Sequence, residues 1–96
     1  MTIEPYEFPG LLRARLRGHG VDFTDEGLAR MADQYRLCAG KNRWDVRQYV
    51  GRSGVGAREY RVMRDKGVQE VYRSAERGIA DAVSAALNAL ESEGKS

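Results

Sequence analysis

The sequence predicts an α+β domain: two N-terminal helices, a small antiparallel sheet of two to three strands, and a C-terminal amphipathic helix packed on the sheet. Three observations carry this. A stripe of apolar residues at helical spacing runs from Ile79 to Leu90. Two strand-type runs, Arg58 to Arg64 and Val68 to Arg73, flank Asp65-Lys66-Gly67. Apolar residues also recur every three or four positions in two segments ahead of Gly40. At 96 residues the chain can build one core but not two, so residues 1–96 are expected to form a single domain. An apolar fraction of 42% beside 31% charged residues is a globular composition, far from that of a disordered segment.

The short apolar-aromatic run from Ile3 to Phe8 is punctuated by Pro9-Gly10. Leu11, Leu12 and Leu16 then predict a helix over Pro9 to Arg17, with the proline in the first turn, where its missing N–H is no loss. Gly18-His19-Gly20 ends it. Arg13, Arg15 and Arg17 cannot share one face of this helix, because alternate helical positions diverge by about 200°. The second helix has Thr24 as N-cap, Asp25 and Glu26 in its first turn, and Leu28, Met31, Ala32, Tyr35 and Cys38 along one side. Arg36 near its end completes a charge arrangement that suits the helix dipole, and Ala39-Gly40-Lys41-Asn42 closes it.

Arg43 to Val50 admits two conformations. As a strand, which its Trp, Tyr and Val content favours, it puts Trp44, Val46 and Val50 on one side. As a helix capped by Asn42, it groups Val46, Tyr49 and Val50. A glycine-rich basic connection, Arg52 to Arg58, leads into the hairpin. There Gly67 supplies the positive φ of a type I turn with a bulge, which sets Tyr60 opposite Tyr72, Val62 opposite Glu70 and Arg64 opposite Val68. Ser74 is then expected to open the last helix. Its apolar side is Ile79, Ala82, Val83, Ala86, Leu87 and Leu90, and Arg77, Asp81, Ser84, Asn88 and Glu91 take the other side.

The sequence offers little for catalysis. The one histidine, His19, stands between two glycines in a turn, without the orienting partner a general base needs. A single His and a single Cys lack the ligand spacing of a structural metal site. Gly54-Val55-Gly56 has neither the third glycine of a dinucleotide fingerprint nor the following Lys-Ser/Thr of a phosphate loop. No enzyme activity and no cofactor are expected. No apolar run approaches the roughly 20 residues of a membrane helix, and Met1 to Gly10 lacks the basic-then-apolar layout of a signal peptide. With Cys38 unable to form an internal disulfide, the expected setting is the cytoplasm, with no membrane partner.

Charge is unevenly placed. Residues 1–35 carry four Lys/Arg against six Asp/Glu, residues 36–66 nine against three, and residues 67–96 three against five. The middle third therefore stands near +6. Arg43, Arg47, Tyr49, Arg52, Arg58, Arg61, Arg64 and Lys66 are its candidate binding residues. Arginine and tyrosine anchor protein interfaces. They also hold phosphates and stack on bases, with Trp44 or Tyr60 as further stacking surfaces. Two partner classes follow, a protein or nucleoprotein complex and, as the alternative, DNA or RNA contacted directly. In the helical conformation of the ambiguous segment, Arg43, Arg47, Gln48 and Arg52 would be the groove-facing set of a winged-helix regulator. The competing explanation is a solvated sheet face with Trp44 and Tyr60 in the core. The acidic flanks favour a protein partner, since a dedicated nucleic-acid binder sustains its basic excess.

Tyr60-Arg61-Val62, Asp65-Lys66-Gly67, Val71-Tyr72 and the alanine-rich stretch from Ile79 to Leu90 resemble the hairpin-plus-helix unit of many small phage and mobile-element proteins, anti-CRISPR inhibitors among them. The resemblance covers about a third of the chain and is one of size and style, so it transfers no site residue. It implies a small stable wedge that blocks a binding surface of a larger host nucleoprotein machine, such as a CRISPR effector, by protein–protein contact. It leaves the oligomeric state open.

Overall fold

A computed structural model describes residues 6–37, 43–50, 58–64 and 69–94. Within them the chain runs α1 (Phe8–Gly18), α2 (Asp25–Arg36), β1 (Asp45–Val50), β2 (Arg58–Arg64), β3 (Gln69–Ser74) and α3 (Arg77–Gly94). This is the predicted α+β layout, with α3 packed across the three-stranded sheet and against α1. Cys38, the Arg52 to Ala57 part of the glycine-rich connection and the Asp65-Lys66-Gly67 turn lie outside the described residues.

The helices form where local signals and burial agree. In α1, Pro9 sits in the first turn, and Phe8, Leu12 and Leu16 are buried four residues apart on one stripe. The helix stops at a backbone reversal where Gly20 adopts φ +78°, a conformation that penalises any residue with a Cβ. There Gly20 N donates to Arg17 O at 3.0 Å, and Val21 N donates to Leu16 O at 3.0 Å. In α2, Thr24 Oγ1 accepts from Gly27 N at 3.0 Å, satisfying one of the orphan N–H groups of the first turn. Leu28, Met31 and Ala32 are buried, and Tyr35 stacks on Phe8 with ring centroids 4.5 Å apart.

Asp45–Val50 is a strand, so the helical alternative and the winged-helix layout built on it are not adopted. The antiparallel order β1-β2-β3 places Val46 opposite Val62, Arg47 opposite Arg61 and Tyr49 opposite Glu59. The β2–β3 register differs from the predicted one. Tyr60 faces Ser74 and Val62 faces Tyr72; after an irregularity at Val62/Met63, Met63 faces Glu70 and Arg64 faces Gln69. Beside the turn the pairing is already one residue away from the predicted one, Arg64 meeting Gln69 instead of Val68, and the extra residue Val71 in β3 adds a second step, so that Val62 meets Tyr72 instead of Glu70. The bulge lets two neighbours reach the helix side together. Val71 is buried, and Tyr72 packs on Phe23 with ring centroids 5.4 Å apart.

A further expectation is corrected at the start of α3. Ser74 closes β3 instead of opening the helix, and its Oγ accepts from Glu76 N at 3.0 Å just before α3 begins at Arg77. The side of α3 that carries Ser84, Asn88 and Glu91 is partly enclosed. Ser84 is buried and Asn88 and Glu91 are half-buried, because α1 and the sheet together enclose more of the helix than one apolar stripe. Ala80, Ala82, Val83, Ala86, Leu87 and Leu90 complete a single cluster with residues of α1, α2, Trp44, Val62 and Val71. Burying each large apolar side chain there contributes about 1.5–3 kcal/mol. No helix among the described residues is long and apolar enough to cross a membrane.

Candidate binding surface

Alternation along the strands divides the sheet's side chains into two sets. Val46, Tyr60, Val62 and Tyr72 contact the core beneath the helices, while Arg47, Tyr49, Glu59, Arg61 and Arg73 belong to the opposite face. The cross-strand register lines up Arg47, Arg61 and Arg73 in a row over all three strands. Like charges side by side are unfavourable unless counter-charges intervene. Two glutamates supply them for two of the three arginines. Arg61 Nε lies 2.7 Å from Glu59 Oε1 and 3.8 Å from Glu70 Oε1, and Arg73 lies 3.3 Å from Glu59 and 2.7 Å from Glu70. The hydrogen bond and charge of Glu70 raise the Arg73 guanidinium above its already high ordinary pKa. Arg47, at the β1 end of the row, is exposed and forms no ion pair among the described residues.

Tyr49 is held beside it. The Arg61 guanidinium lies 4.1 Å from the centre of its ring, a cation–π contact, and Tyr49 Oη donates to Met63 Sδ at 3.4 Å. Met63 is thereby enclosed on the open face of the sheet, outside the main core cluster. The hydroxyl and the arginine together hold the ring against the sheet.

The predicted binding residues therefore separate. Arg43, Arg47 and Arg58 are exposed, Arg43 just ahead of β1 and Arg58 opposite Val50. Tyr49 is half-buried on the open face, and Arg61 is largely neutralised there. Arg64 is not a surface residue. Only 4% of its side chain is exposed; Nη1 contacts both Glu91 oxygens at 2.8 and 2.9 Å, Nε donates to Gln69 Oε1 at 3.1 Å, and the guanidinium lies 4.2 Å from the Trp44 ring. Arg52 and Lys66 lie outside the described residues.

Trp44 likewise belongs to the interior, with 2% exposure, and is no platform for a base. Its backbone N donates to Asn88 Oδ1 at 2.8 Å, its carbonyl accepts from Ser84 Oγ at 2.9 Å and Asn88 Nδ2 at 3.1 Å, and its indole Nε1 donates to Glu91 Oε1 at 3.1 Å. Sequence reasoning missed this bracket. The signal that could have found it is the spacing of Ser84, Asn88 and Glu91, which is as regular a helical stripe as an apolar one.

On the far side of the sheet, a groove of about 530 Å³ lies between α2 and β3, lined by Gly27, Met31, Gln34, Val71 and Arg73 among others. Among the described residues, no group of three His, Cys, Asp or Glu side chains could hold a metal ion. No protein-family model matches the chain, and comparisons with the curated proteins and with the solved structures return no match.

Proposed function

We propose that the chain is a non-enzymatic binding protein that holds the protein surface of a larger nucleoprotein assembly against the β1 side of its sheet, working in the cytoplasm without a cofactor. The type of partner is the one implied by the resemblance to small phage inhibitors: a host machine, such as a CRISPR effector, obstructed by an arginine-rich surface. The observation that supports the reading is Arg47, the end of a three-arginine row whose other members share two glutamates. A surface cation with no ion-pair partner among the described residues, next to a tyrosine held by Arg61 and Met63, has the composition of an interface anchor.

The test is quantitative affinity capture with the full chain, followed by the same capture with Arg47→Glu and Arg58→Glu. Both side chains are exposed, so thermal stability should stay within about 0.5 kcal/mol while the partner is lost. Retention of the partner by both variants overturns the reading. Anisotropy titrations with duplex and single-stranded nucleic acid at two salt concentrations decide the competing class. Micromolar binding at low salt that falls as salt rises and disappears in Arg47→Glu would assign the surface to phosphates instead.

A further inference from the structure

We infer that the outer edge of β1 is a strand-addition site, taken by an extended acidic segment of the partner in which carboxylates alternate with β-branched residues. The inference rests on the β1 side being the binding surface and specifies how the partner is held. The two edges of the sheet are finished differently. Along β3, α2 lies against the strand, and Gln34 Nε2 donates to the Glu70 carbonyl at 3.0 Å, so a helix already answers that backbone. Along β1, the described elements in contact are β2, on its inner edge, and α3; none flanks the outer edge. An edge strand of six residues presents N–H and C=O groups outward at alternate positions, and another strand satisfies all of them at once. A polypeptide strand supplies donors and acceptors at the matching repeat. A phosphodiester backbone supplies acceptors alone, so the edge selects peptide over nucleic acid.

Side chains set the chemistry of that peptide. An added strand lays alternate residues beside two rows of β1, Asp45, Arg47 and Tyr49 on one face and Val46, Gln48 and Val50 on the other. A carboxylate fits beside Arg47, which is exposed and has no ion pair among the described residues, and β-branched residues fit beside Val46 and Val50, the latter 57% exposed. A second copy of the chain fits less well. It would bring its own Arg43 and Arg47 to an edge whose strand has Asp45 as its one acidic residue.

The probe is a fluorescein-labelled, end-blocked peptide of alternating valine and glutamate, titrated into the full chain and followed by anisotropy. Two isomers carry N-methyl groups on alternate amides, one set facing the edge and the other facing away. Strand addition requires one isomer to bind about tenfold or more weakly and the other to bind as the parent does. Arg47→Glu should weaken the parent peptide by a similar factor at unchanged melting temperature, and a lysine-for-glutamate peptide should not bind. Equal binding of the two isomers overturns the inference, as does a free chain that sediments as a dimer the peptide cannot dissociate. So does Arg47-dependent binding of duplex DNA with no binding of the peptide. If the peptide fails while capture of the partner still depends on Arg47, the edge falls and the binding surface stands; if neither depends on Arg47, both fall.

Discussion

At the scale of single residues, the same amino acid plays opposite parts depending on which way the strand turns it. Arg61 and Arg64 are three positions apart in β2, so alternation sends them to opposite faces, one to the open side and one into the interior. Arg64 is tolerated inside because Glu91 neutralises it, Gln69 accepts from its Nε and Trp44 covers its plane. Removing Glu91 takes the carboxylate that Nη1 contacts at both oxygens away from an enclosed guanidinium. Glu91→Ala is expected to cost about 2–4 kcal/mol, somewhat less than a fully enclosed pair would, because the Glu91 side chain retains 22% exposure. Replacing both, Arg64→Met with Glu91→Leu, removes the charge and should recover at least half of that loss in urea unfolding. A double variant less stable than Glu91→Ala contradicts the argument. Composition counted Arg64 with the surface cations because a basic residue is almost never buried unless paired, and its partner is 27 positions away.

At the scale of elements, what could be read from the sequence was whatever neighbours decide. The start of α2 is visible in Thr24, Asp25 and Glu26, and the structure shows the Thr24 side chain accepting from Gly27 N. Thr24→Ala should therefore lower stability by about 1 kcal/mol, with Thr24→Ser close to the parent, measured by thermal melts followed at 222 nm. A full-size loss in Thr24→Ser would mean that the threonine methyl, not the cap, matters. The hairpin strands were legible for the same reason, from their residue types and turn. Their register was not: the pairing beside the turn is one step away from the expected one, and the bulge at Val71, which seats Tyr72 against Phe23, adds another. Likewise the sequence separates the polar side of α3 from its apolar side without showing that Ser84, Asn88 and Glu91 are enclosed. Their partner, Trp44, lies in the segment that admits two conformations, 40 to 47 positions upstream, so the spacing of the three does not say what they hold.

At the scale of the whole molecule, one cluster joins all three helices to the sheet, and no helix keeps a separate core. Unfolding should accordingly be a single transition. The one tryptophan sits where β1, β2 and α3 meet, so its fluorescence reports packing while far-UV ellipticity reports helix content. The two curves should coincide in urea; a tryptophan transition that precedes loss of helix would show that the β1 side detaches first. Of the candidate surface, the charge imbalance was visible in the sequence and its resolution was not. Only the register reveals that Glu59 and Glu70 quench Arg61 and Arg73 and leave Arg47 exposed.

The bracket on Trp44 also sets an order of events as the chain is made. The groups that hold the start of β1, from Ser84, Asn88 and Glu91, lie 40 to 47 positions downstream. A ribosome that has just completed β1 has not yet made the residues that fix it, so the edge cannot take its final place in a growing chain. It becomes available only when α3 has been synthesised and docked, which spares a nascent strand from pairing with whatever emerges beside it.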